Sequence, residues 1–134
     1  MKKHLPTIAG ILLGLLFLLA SSLFLLNLEP MPKFPEGSPI ALFMGAFVPT
    51  GYMTFVKICE LSGGVLVAIP RTRNLGLLLL GPIIVNILAF HIFVTGGQGL
   101  LDPMLDAIVV LALYLLWVGR QQFAGLLNQS HKVL

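Results

Sequence analysis

Residues 8–28 carry neither an ionisable side chain nor a proline. A bilayer core about 30 Å thick takes about 20 helical residues at roughly 1.5 Å each, so this run is long enough to cross one. Three further apolar stretches follow, and spans are expected at about residues 6–28, 40–69, 75–94 and 103–120, with a short amphipathic tail after the last. The second is longer than a crossing needs and holds Pro49, Gly51, Lys57 and Glu60. The third is interrupted by Gly81 and Pro82 and carries Asn86 and His91. The run at 8–28 is too long for an ordinary signal-peptide core and no small-x-small cleavage site follows it, so it is expected to be retained as a span.

Composition agrees with this reading. Of 134 residues, 57% are hydrophobic and 10% charged, against about 25% charged in an ordinary soluble domain. A soluble globular domain is thereby excluded. One cysteine excludes a disulfide framework and a thiolate metal cluster. The net charge of +3 is scattered over eight basic residues that form no run, so nothing tracks a phosphate backbone and no nucleic-acid partner is expected.

The joints between spans read as loops and caps. Residues 29–39, from Glu29 to Pro39, hold four prolines. The segment 70–74 is a short turn with Asn74 placed to cap the third span, and 95–99 supplies glycines able to take positive φ. Asp102 before Pro103 reads as an N-cap followed by proline in the first helical turn. Lys2 and Lys3, Arg71 and Arg73, and Arg120 and Lys132 fall on one side, while the other two loops hold only Lys33. The positive-inside rule then puts both termini in the cytoplasm. Loops this short force neighbouring helices to be antiparallel. The expected fold is all-α: a single membrane domain over 1–134, an up-down-up-down bundle of four helices.

Polar side chains within the spans need a reason, because a charge at the bilayer centre costs a few kcal/mol. Lys57 and Glu60, three apart on one helix, share a face and can pair. Counting from residue 69 puts Lys57 near the midplane, roughly 18 Å from the inner end. Gly63 and Gly64 on the next turn allow a second helix to approach. Asn86 sits at a similar depth on the neighbouring span, and Pro82 strips the Leu78 carbonyl of its helical donor. His91 lies further out, about 140° around the helix from Asn86. Two roles are open to the cluster Lys57, Glu60, Asn86 and His91: a structural polar contact, or a pocket that orients a ligand and handles protons. Asp106, one turn into the fourth span, is either a favourable charge at a helix N-terminus or a secondary site residue beside His91. Catalytic triads, phosphate-binding glycine loops and metal-ligand spacings are absent from the sequence, and no intrinsic cofactor or metal is expected.

The order of these features carries a family resemblance. A glycine-containing first helix (Gly10 to Phe17), then Lys57 and Glu60 followed by Gly63 and Gly64, then Pro82 to His91, resembles the DoxX family of small bacterial four-helix membrane proteins over most of the chain. The resemblance implies a bacterial inner-membrane location and an accessory or scaffold subunit, in its most specific form one linked to quinone redox or oxidative-stress chemistry, with a quinone as ligand and a membrane redox partner subunit. The other class of function is transport of a small solute or proton, which would require a homo-oligomer because four short helices enclose little space.

Overall fold

The computed structural model describes residues 3–28, 30 and 32–133, with side chains described through residue 127. Lys2 and Glu29, and the side chain of Lys132, lie outside the described residues. Among the described residues there are six α-helices and no strand: α1 (Leu5–Leu25), α2 (Pro39–Phe47), α3 (Tyr52–Ala68), α4 (Arg73–Ala89), α5 (Pro103–Val118) and α6 (Arg120–Val133).

The ends of α1 follow from local chemistry. Pro6 occupies the first turn, where a missing N–H is no loss. At the other end Asn27 adopts φ +55°, and the Asn27 and Leu28 N–H groups donate to the carbonyls of Phe24 and Leu23. This is a Schellman cap with asparagine in the left-handed position. It ends the helix three residues before the apolar run ends.

The second apolar stretch is not one helix. It is α2 and α3 meeting at an 82° bend. Pro49 removes a backbone donor from the ladder, Thr50 turns its hydroxyl back to the Ala46 carbonyl at 2.7 Å, and Gly51 takes φ +84°, a conformation that stops a helix of L-residues. Helix α2 has its own start, with the Ser38 hydroxyl accepting from the Ala41 N–H.

The expectation for Asn74 is corrected in the same way. A 3-10 turn at Pro70–Thr72 runs straight into α4, so Thr72 precedes the helix and Asn74 already lies inside it. The Asn74 Oδ1 is buried without a hydrogen-bond partner, against Gly119. Helix α4 continues through Pro82 and ends in a wider π-type turn, Phe90–Val94, in which the Thr95 N–H reaches back five residues to the Phe90 carbonyl. Gly96, Gly97 and Gly99 all have positive φ in the turn that follows, and Asp102 caps α5 by accepting from the Met104 N–H at 3.1 Å. The fourth stretch bends by 67° at Gly119 into α6.

Helix α3 packs between α1 and α4, and α5 packs against α1 and α4. The core between them is apolar, with Leu13, Phe17, Val67, Leu80 and Leu115 fully buried. Large apolar side chains cover the outside, among them Leu15, Phe55, Val85 and Leu113. Leu5–Leu25 and the continuous helix Pro70–Val94 are each long and apolar enough to cross a membrane, and counting each bent pair as one span brings the total to four.

Candidate functional site

The buried stripe of α3 is Glu60, Gly63, Gly64 and Val67, an i, i+3, i+4, i+7 set. One carboxylate and two glycines therefore occupy positions where a soluble helix would carry large apolar residues. Each glycine serves a different neighbour. A Cβ on Gly64 would lie 3.1 Å from the Gly14 carbonyl oxygen of α1, and one on Gly14 would lie 2.5 Å from the Gly64 carbonyl oxygen. Gly63 instead receives the Leu80 side chain of α4, and Gly76 of α4 lies under the Val67 and Gly63 backbone. Helix α3 is thus held by close backbone approach on two sides. Gly10, Gly14 and Gly76 complete this contact, and their legible signal is the spacing of small residues along the first and third apolar stretches.

Glu60 is 3% exposed, and its Oε2 lies 3.1 Å from the Lys57 ammonium. Because the span is broken at Gly51, depth is measured along α3 alone. Glu60 is eight residues from each end, about 12 Å either way, whereas Lys57 is only about 8 Å from the Tyr52 end. Glu60, not Lys57, is thus at the middle of α3. Lys57 is the more exposed partner, at 22%, with its ammonium 5.9 Å from the centre of the Phe24 ring, a cation–π distance. It borders a cavity of about 280 Å³ with Leu23, Phe24, Asn27, Pro30 and Val48.

The other expected members of the cluster lie elsewhere. Asn86 is exposed on α4 and lines a separate groove of about 440 Å³ between α3 and α4, together with Tyr52, Cys59, Leu78 and Pro82. His91 sits in the π-type turn. Its Nδ1 lies 2.8 Å from the Ile87 carbonyl, which can only accept, so Nδ1 carries the proton and donates; the ring packs against Gly99. No hydrogen bond among the described residues joins Asn86 or His91 to Lys57 or Glu60. The four-residue pocket is therefore not assembled, because the two polar faces of α3 and α4 are turned apart. Asp106 is exposed on the first full turn of α5, with no hydrogen bond to His91. Among the described residues no group of three or more His, Cys, Asp or Glu could hold a metal ion.

Sequence reasoning missed Asn27, which enters the cavity only because it caps α1, and the rings of Phe43, Phe47, Tyr52 and Phe90, which stack where α2 meets the end of α4. No family model matches the chain, and no solved structure matches it. Among curated proteins it is similar to an uncharacterized protein, YwoB, of Bacillus subtilis (strain 168), with 38% identity over 80 residues. The match covers 59% of this chain and 49% of that protein, so the chain spans about half the length of the curated relative it matches.

Proposed function

We propose that the chain is a DoxX-like multi-pass protein of the bacterial cytoplasmic membrane, an up-down-up-down bundle with both termini cytoplasmic, acting as an accessory or scaffold subunit. In this reading α1, α3, the Pro70–Val94 helix and α5 are the crossings, while α2 leaves the bundle at the outer face and α6 at the inner one. The distribution of lysine and arginine supports the orientation. The observation that carries the subunit role is the Lys57–Glu60 pair, closed at 3.1 Å on the face of α3 that packing buries. A carboxylate held by its own helix and walled in by neighbouring helices serves architecture rather than turnover. Removing one member of a buried pair strands the other charge, whereas replacing both by apolar residues is often tolerated. Lys57→Ala and Glu60→Ala should each lower membrane accumulation sharply on quantitative immunoblots, and the Lys57→Met, Glu60→Leu double variant should recover much of it. Recovered abundance with a lost cellular phenotype would move the pair to a functional site.

A quinone-linked form of this role is favoured by the cavity beside Lys57. It has apolar walls from Leu23, Phe24 and Val48 and two side chains able to donate, the Lys57 ammonium and the Asn27 amide. A quinone bound there would supply a two-electron, two-proton couple. Lys57 and Asn27 would orient its carbonyl oxygens, and the apolar walls would cover its ring. Electrons would have to come through a membrane redox partner subunit. Native mass spectrometry of gently extracted protein should find a stoichiometric quinone that the Lys57→Met, Glu60→Leu double variant removes; phospholipid alone would withdraw the quinone.

A further inference from the structure

We infer that the exposed face of α4 around Asn86 is a contact between two copies of this chain, in which the two Asn86 amides hydrogen-bond to each other across a two-fold axis normal to the membrane. The inference rests on the membrane reading above. The exposed hydroxyls of Ser62 and Thr50 are satisfied by their own helix, donating to the Ile58 carbonyl at 2.9 Å and the Ala46 carbonyl at 2.7 Å. Asn86 is exposed and without a hydrogen-bond partner among the described residues, and it lies deeper along its helix than Tyr52 and Thr54, which stand without one in the first turn of α3. It stands more than two turns inside the outer end of a 25-residue apolar helix. Four residues earlier Pro82 has no N–H to give the Leu78 carbonyl, and Leu78, Pro82 and Asn86 line one groove. That apolar face therefore holds unmet hydrogen-bonding groups at a depth without water, where each costs several kcal/mol unless something covers it.

The chemistry singles out a second copy as the occupant. A carboxamide both donates and accepts, so it is complementary to itself. Two copies inserted in the same direction place Asn86 at equal depth without further adjustment, and an isologous contact then closes.

Cys59, the single cysteine of the chain, lines the same groove and serves as the reporter. Carbonate-washed membranes containing the full chain would be treated with a short bis-maleimide and resolved on denaturing gels, and the mass of the gently extracted protein measured alongside. The wild type should give a covalent dimer and a dimeric native mass. Asn86→Leu, an apolar change on an exposed face, should lower both about fivefold or more, the size expected of one interhelical hydrogen bond in a membrane, while Asn86→Gln should keep them. Membrane-embedded protein of monomeric mass, a dimer undiminished in Asn86→Leu, or a crosslink to a different protein in place of the dimer would overturn the contact. Protein released by carbonate would overturn the membrane reading instead.

Discussion

Gly14 and Gly64 show how little room the packing of α1 on α3 leaves. A Cβ at Gly14 meets backbone, which cannot swing aside, whereas one at Gly63 meets the Leu80 side chain, which can adopt another rotamer. Gly14→Ala should therefore destabilise the protein by about 2 kcal/mol, as overpacking a well-filled interior does, and by more than Gly63→Ala. Thermal unfolding in detergent would rank them. Gly45, on α2 with no atom near its would-be Cβ, is the control. Gly45→Ala should be neutral or raise stability by about 0.5 kcal/mol through helix propensity alone. Glu60 occupies the same buried stripe, so the glycines that draw the helices together also enclose the carboxylate, and Lys57 is the partner that makes its burial tolerable.

Helix boundaries here are set by single residues with a physical role. Gly51 holds φ +84° at the α2–α3 break, so Gly51→Ala should cost about 1–2 kcal/mol in unfolding midpoint experiments, the penalty of a left-handed conformation for an L-residue. The two aspartates of α5 differ in the same physical terms. Asp102 accepts the Met104 N–H, and Asp102→Ala should cost about 1 kcal/mol. Asp106 has only the helix dipole to act on, so Asp106→Ala should cost less, about 0.5 kcal/mol, measured on the same unfolding curve. The π-type turn after α4 places His91 against Gly99 and Phe90 against Phe43, tying this turn to α2.

For the molecule as a whole, the ring of contacts α1–α3–α4–α5 closes an apolar core and leaves two short helices outside it. Helix α2 stands at 82° to α3 and α6 at 67° to α5, and in the proposed topology the crossings alternate in direction. A reporter that is active only in the cytoplasm should be silent when fused after Gly99 and active when fused after Arg120; activity after Gly99 would reverse the proposed orientation. At the end of α5 that the proposed orientation puts inside, the Arg120 guanidinium lies 4.2 Å from the Trp117 ring centre and donates to the Trp117 carbonyl at 2.8 Å.

Helical class, the apolar character of the long helices, the cap at Asp102 and the glycine turn after α4 are all legible in the sequence. Hydropathy, proline and capping residues act over a few neighbouring positions, so one dimension suffices to read them. The Lys57–Glu60 pair is legible for the same reason, since both residues lie on one turn. The sequence does not reveal that 40–69 breaks into α2 and α3, because Pro49 and Gly51 permit either a kink or a stop, and the packing of α2 against the end of α4 is a long-range contact. Nor does it reveal that Asn86 and His91 face away from Glu60: equal depth brings residues of two helices together only if both rotational phases agree. Those phases were decided by where Gly14, Gly63, Gly64 and Gly76 let the backbones touch, which is a property of the packed tertiary structure and not of any one stretch of chain.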